Sequence, residues 1–314
     1  MKNRAILLIL FLVVCVAANG QSGVTDVMVN VPGGRVHFHV VKGTGVPILF
    51  DAGGGDDGSV WEGILKPLSK ITGATLITYD RLGFGRSEID STDTSQQHGL
   101  LNGVEDLEAG LKTLGYDGEV ILVAHSLGGF YSQLYASRHL DRVRAAVLID
   151  SSYACMYTPD VYLDKMMDSM KAMVPDLQNL KRTNPGRYYI YVNYPDTVHI
   201  MRKTTFPASI PVVDLVSEFT PFNDAEDKAR WQACHKQFAA AAPNRAGIVA
   251  YGSGHYIFQE NSPLVVESIV KIYSTLLREP QRSQVLERGM AYAVAAANES
   301  YRREAACRNK GKIP

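Results

Sequence analysis

Four short apolar runs, at residues 46–50, 74–79, 119–124 and 144–149, recur along the chain, and the first three end in a glycine-bearing turn. A continuous apolar run of this length fits a strand buried on both faces, and such strands belong to parallel sheets covered by helices on either side. The intervening sequence has the matching helical pattern. Leu100, Val104, Leu107, Leu111 and Leu114 recur at near-helical spacing, and Leu127, Phe130, Tyr131, Leu134 and Tyr135 follow the i, i+3, i+4, i+7, i+8 pattern. Two further runs, at 211–217 and 246–251, extend the series. The fold class is therefore α/β, with functional residues expected at the carboxyl ends of the strands.

Three segments depart from this rhythm. Residues 27–31 and 35–41, joined by Pro32-Gly33-Gly34, predict an opening hairpin, with His37 and His39 on one exposed strand face. Residues 153–209 carry Met156, Met166, Met167, Met170 and Met173, then Tyr188, Tyr189, Tyr191 and Tyr194. This stretch predicts a cap over the site, whose methionines either pack it onto the body or line an acyl or aromatic pocket. A helical tail is expected from about residue 282.

The chain's start has its own pattern. Lys2 and Arg4 precede a nearly unbroken apolar run from residue 5 to residue 18, and Ala18-Asn19-Gly20 offers small residues for cleavage. Residues 1–20 are thus expected to be a secretory signal peptide, with residues 21–314 as the mature, exported chain, periplasmic or secreted. The apolar run is short for a membrane span, so none is expected in the mature chain. Formal net charge is zero, with 32 basic and 32 acidic residues, which argues against nucleic acid as a partner. Export implies an oxidising compartment. Cys155, Cys234 and Cys307 then allow one disulfide with one thiol left over, or three buried thiols. No CxxC or Cys/His cluster suggests a metal.

The chemistry concentrates in three turns. In Ala124-His125-Ser126-Leu127-Gly128 a serine sits between a strand and a helix. Such an elbow exposes the hydroxyl at the top of the sheet and sets the backbone N–H of Leu127 beside it. Small residues two before and two after the serine let strand and helix approach. The bland alternative is a helix N-cap serine. Gly53-Gly54-Gly55 follows a strand and can bring backbone donors close to a ligand. Acyl transfer needs two fixed donors for the developing oxyanion; Leu127 N–H and Gly54 N–H are the candidates, with Gly55 as the alternative. A phosphate loop is disfavoured, since neither a Walker Lys-Ser/Thr nor a full GxGxxG is present. His255, in Gly252-Ser253-Gly254-His255 after the last strand, is the candidate general base. His98, His139, His199 and His235 are expected in surface helices or the cap.

The supporting acid is open between two places. Asp150 ends the run at 144–149; Glu218, Asp224, Glu226 and Asp227 follow the run at 211–217. Asn223 is a candidate N-cap, which puts Asp224 in a first helical turn where acids occur for dipole reasons alone. Asp150 is preferred, because an acid closing a buried strand is costly unless paired, and Asp224 is the alternative. Asp51 and Asp80 are expected to be structural.

Three motifs in this order, Asp80-Arg81-Leu82-Gly83-Phe84-Gly85-Arg86-Ser87, the elbow at Ser126, and the loop at His255, resemble those of the α/β-hydrolase superfamily over residues 24–278. The resemblance implies an eight-stranded, mostly parallel sheet with a helical cap between its sixth and seventh strands. It also implies a cofactor-independent acyl-enzyme mechanism on a small-molecule acyl substrate, with Ser126 as nucleophile and His255 as base. In some members the triad acid follows the sixth strand, which fits Asp150. Ala52 stands where the family's oxyanion loop usually has histidine. Members with an aspartate nucleophile, such as haloalkane dehalogenases and epoxide hydrolases, are disfavoured by serine at 126. The implied activity is carboxylic ester hydrolysis. The alternatives are an aminopeptidase, for which Asp160, Asp164, Asp168 and Asp176 of the cap are available to hold an amine, and a non-catalytic binding protein on the same scaffold.

Overall fold

In the computed structural model, which describes residues 23–90, 92 and 97–310, with the side chains of 300, 301 and 303–310 left undescribed, the apolar runs become the centre of one twisted sheet. Its strands are β1 (Val24–Val31), β2 (Gly34–Val41), β3 (Ile48–Asp51), β4 (Leu76–Tyr79), the two-residue β5 (Glu88–Ile89), β6 (Val120–His125), β7 (Val143–Ile149), β8 (Val212–Ser217) and β9 (Arg245–Ala250). Eight of them run in the order β1-β2-β4-β3-β6-β7-β8-β9, and β5 pairs with β2 off this path. β1 and β2 form the antiparallel opening hairpin; β4 onward is parallel.

The helices are α1 (Glu62–Thr72), α2 (Leu100–Leu114), α3 (Gly128–Arg138), α4 (Val161–Met173), α5 (Leu177–Thr183), α6 (Pro185–Lys203), α7 (Ala225–Ala240), α8 (Ile257–Glu260), α9 (Ser262–Ser274) and α10 (Gln281–Lys310). Alternation along each central strand divides the core between two layers. Val120, Leu122 and Ala124 of β6 pack with α2, α3 and α7, whereas Ile121 and Val123 pack with α1 and α9. The cap helices α4–α6 lie between β7 and β8, the sixth and seventh strands of the eight-strand path.

The disulfide joins Cys155, in the 3-10 turn Ala154–Tyr157 that leads into the cap, to Cys234 of α7. The side chain of Cys307 and the leader at 1–20 lie outside the described residues. Among the described residues no helix is long and apolar enough to cross a membrane.

Three expectations are corrected. The run at 246–251 is an edge strand, not a buried one: among the described residues β9 is the last strand of the sheet, and its Ile248 and Val249 are exposed. His37 is buried, bonded through Nδ1 to Asp80 at 2.9 Å and through Nε2 to Asp26 at 2.9 Å. Asp80 and Asp26 cover its strand face, and the turn after β4 is bonded to its backbone through Asp80 N and Ser87 Oγ. His235 is buried on the inner face of α7, against Asp214 of β8.

The parallel register brings the strand ends together. Asp51 pairs with Ala124, His125 with Ile149, and Ile149 with Leu215. Strand and helix are closest at Gly128, where an added Cβ would stand 2.5 Å from the carbonyl oxygens of both Asp51 and Ala52. Backbone cannot yield as a side chain can. We expect Gly128→Ala to cost about 1–3 kcal/mol in urea unfolding, with Gly55→Ala, whose Cβ would meet nothing within 4 Å, as the neutral control. An unchanged midpoint for Gly128→Ala would mean that the approach is looser than described.

Candidate active site

Ser126 follows β6 with φ of +52°, a conformation that non-glycine residues rarely adopt. Its N–H donates to the Ile149 carbonyl at 3.2 Å and its own carbonyl accepts from Ser152 N at 2.9 Å, so bonds to the next strand end hold the strained turn. Leu127 and α3 follow directly, and the hydroxyl is left at the carboxyl end of the sheet. Ala124, in the place of the usual small residue, is fully buried.

The Ser126 Oγ lies 3.0 Å from Nε2 of His255, and Nδ1 of the same ring lies 2.7 Å from Oδ2 of Asp150. The structure thus brings Ser126, His255 and Asp150 into one hydrogen-bonded chain. Asp150 also has positive φ, +43°, and no exposed surface. Four donors converge on its carboxylate. Oδ1 accepts from Ser217 N and Trp231 Nε1, each at 2.9 Å, and Oδ2 accepts from Ser217 Oγ at 2.8 Å and from His255. Burial alone would raise its pKa; the hydrogen bond and charge of His255, with help from His235 and the Ser217 amide, outweigh burial and hold the carboxyl below the usual range.

Asp224 is elsewhere. It is the exposed N-cap of α7, accepting from Glu226 N at 2.9 Å and Asp227 N at 3.1 Å. The cap is therefore Asp224 rather than Asn223, and its carboxylate is committed to the helix end.

His125 packs beneath the site. Its Nε2–H donates to the His255 carbonyl at 3.0 Å and its ring lies 4.5 Å from that of His255. Burial, then the neighbouring His255, pushes its pKa down to about 3, so it stays neutral and fixes the loop that carries His255.

The glycine turn is held by Arg81, which the sequence motif marked without assigning it a contact. Its guanidinium donates to Asp51 Oδ1 at 2.6 Å, to the Ala52 carbonyl at 2.7 Å and to the Gly53 carbonyl. With those carbonyls tied down, Gly54 lies against the Leu127 side chain. Gly54, Gly55, Ser126 and Leu127 all line one cavity of about 510 Å³. Met166, Met170 and Met173 of the cap form part of its wall, with Tyr191 and Tyr194; Met167 instead packs against the core. Asp160, Asp164, Asp168 and Asp176 do not line it. The carboxylate that does is Asp56, whose pKa burial raises against a Tyr256 hydroxyl at 3.4 Å.

Residues 46–189 match the family described as the alpha/beta hydrolase fold. That match spans just under half of the chain, whose described residues have the α/β-hydrolase fold. The chain is 26% identical over 162 residues to a proline iminopeptidase of Saccharolobus solfataricus, covering 50% of this chain and 51% of that protein. It is 34% identical over 104 residues to a (lyso)-N-acylphosphatidylethanolamine lipase of Bos taurus, 33% of this chain and 30% of the lipase. The chain thus spans about half the length of the first relative and less than a third of the second. Among solved structures, a thermophilic esterase from Thermogutta terrifontis superposes with a TM-score of 0.56 at 19% identity, over 79% of this chain and 97% of the esterase. Among the described residues no group of three or more His, Cys, Asp or Glu side chains could hold a metal ion.

Trp231, which no sequence motif marks, supplies a donor to Asp150. Replacing it with Phe leaves one lone pair of a buried carboxylate unserved. Trp231→Phe is expected to cost about 1.5–3 kcal/mol at neutral pH. Because the folded pKa of Asp150 is lowered, the stability it contributes is present above the ordinary carboxylate range and is lost as pH falls through the folded value. The penalty in Trp231→Phe should therefore hold above about pH 4 and shrink below it. Denaturant titrations across that range test this; a penalty that ignores pH would mean that only ring packing was lost.

Proposed function

We propose that the protein is a serine hydrolase that cleaves a carboxylic ester or related acyl bond through an acyl-enzyme on Ser126. The observation that carries this is the unbroken chain from Ser126 Oγ through His255 to Asp150, opening on a cavity walled mainly by apolar side chains. His255 Nε2 takes the Ser126 proton as Oγ bonds to the substrate carbonyl carbon; the carbonyl π pair moves to oxygen, where the amides of Leu127 and Gly54 stabilise it. The carbonyl re-forms, the alcohol leaves with the proton from His255, and water repeats the sequence to free the acid. Asp150 keeps the imidazole in the tautomer with Nδ1–H and offsets the charge it gains.

A peptide substrate with a free amine is the second reading. It draws on the name of the iminopeptidase relative and on Asp56, a carboxylate in the cavity that an ammonium group could meet. Export of the mature chain belongs to the same proposal; the leader pattern at 1–20 and the Cys155–Cys234 pair are its support.

A fluorophosphonate probe should label the wild-type protein at Ser126 and leave Ser126→Ala unlabelled. Absence of wild-type labelling would sink the hydrolase and favour a binding protein on this scaffold. On a p-nitrophenyl ester, Asp150→Asn should lose turnover by about 10³–10⁴-fold, whereas Asp224→Asn should stay near wild type. Turnover of an aminoacyl p-nitroanilide in place of the ester, abolished in Asp56→Asn, would shift the assignment to the peptide reading.

A further inference from the structure

Behind Asp150 lies a second buried histidine–aspartate pair that the hydrolytic chain does not use. His235 Nδ1 is 2.8 Å from Asp214 Oδ2, and Nε2 of the same ring faces Asp150 Oδ1 across 3.9 Å without making a hydrogen bond. His235, Asp214 and Asp150 are 2%, 1% and 0% exposed, so water screens none of them. Tyr153 donates its hydroxyl to Asp214 Oδ1 at 2.8 Å and sets its ring edge-on to His235 at 4.9 Å. Burial and the nearby Asp214 raise the Tyr153 pKa well above its ordinary value, so Tyr153 is a neutral donor.

Every other charge near this imidazole is accounted for. Arg245, reaching in from β9, donates to the carbonyls of Phe206 and Phe238 and is not bonded to Asp214. Lys165 of α4 pairs with Asp227 and Asp224, and Arg230 pairs with Glu226. Trp231 brings a neutral donor to Asp150, and the Cys155–Cys234 disulfide closes the helix beside His235. His235 is therefore the imidazole set directly between two buried carboxylates. A bare Nε2 would aim a lone pair at the Asp150 carboxylate; a protonated one places a cation there.

We propose that His235 is a positioning residue for the hydrolytic site: anchored by Asp214, it carries a proton on both ring nitrogens and sets the electrostatic load on Asp150, and through Asp150 the basicity of His255. This rests on the Ser126–His255–Asp150 reading. With His235 cationic, the cluster of two aspartates and two histidines holds one net negative charge while His255 is neutral. It holds none once His255 has taken the serine proton. Without that cation the resting cluster would hold two buried negative charges, and His255 would keep its proton to higher pH, unable to act as base.

The direction of the effect distinguishes this role from packing. His235→Gln can still donate to Asp214 but carries no charge. On a p-nitrophenyl ester, the acid limb of its kcat/KM profile should move up by about one pH unit. The double variant His235→Gln with Asp214→Asn removes one charge of each sign, and its acid limb should return towards the wild-type position. A merely structural role would lower kcat in both variants and leave the limb in place, which would overturn the proposal. Nitrogen-15 spectra of the wild-type protein, with histidine rings assigned by through-bond connectivity, give a test that needs no variant. At neutral pH the His235 ring should show two protonated nitrogens, and one bare nitrogen would overturn the proposal. Should Ser126 fail to label with fluorophosphonate, hydrolysis falls while the His235 spectrum still reports its charge, so the two failures are distinguishable.

Discussion

The carboxylate of Asp150 is the point on which the site's geometry turns. A fully buried anion is unfavourable by several kcal/mol unless its lone pairs are met, and here the four donors come from three separate places. The Ser217 amide and hydroxyl end β8, the Trp231 indole comes from α7, and the His255 imidazole comes from the loop after β9. Each donor fixes one neighbouring element relative to β7. The loop bearing His255 can approach Ser126 only if β7, β8 and β9 finish level, which the parallel register provides. Satisfying one buried charge and aligning the proton-transfer path are thus the same set of bonds.

Strain is concentrated where those bonds can hold it. Ser126 and Asp150 both have positive φ without being glycine, and they end adjacent parallel strands. Each such residue costs on the order of 1–3 kcal/mol. Bonds from Ser126 N to the Ile149 carbonyl and from Asp150 N to the Leu215 carbonyl carry the ladder past the strand ends and into the turns. The glycine turn opposite is restrained differently, by the buried Arg81 drawing in consecutive carbonyls. Peptide units whose carbonyls point towards Arg81 turn their amides the other way, which explains why this flexible Gly-Gly-Gly sequence can serve as a fixed wall.

How much of this was legible in the sequence follows from how local each signal is. The apolar runs, the glycines and the serine elbow act within a few residues, so the sheet, its helices and Ser126 were readable. Asp150 could be argued from cost alone, because an acid ending a buried strand needs partners whatever they are. The partners themselves were not readable: Trp231 and His235 sit on a helix whose polar composition, Glu226, Asp227, Lys228 and Arg230 at its start, masks a buried inner face. The same masking made His235 look like a surface residue. His37 was misjudged because a two-residue alternation gives the face of a strand, not what covers that face. β9 failed in the opposite sense, since apolar residues alone do not reveal that a strand lies at a sheet's edge.

The cap decides what can reach the serine. Its methionines and tyrosines give an adaptable apolar wall, and none of its four candidate aspartates points a charge into the cavity. Asp176 is used instead to cap α5, and Asp160 pairs with Arg202. The cap's entry turn is bonded through Cys155 to Cys234, the residue beside His235. The helix that supports Asp150 from behind is therefore tied to the segment that covers Ser126 from above. The cavity wall and the donors behind the acid are thus joined by a covalent link as well as by packing.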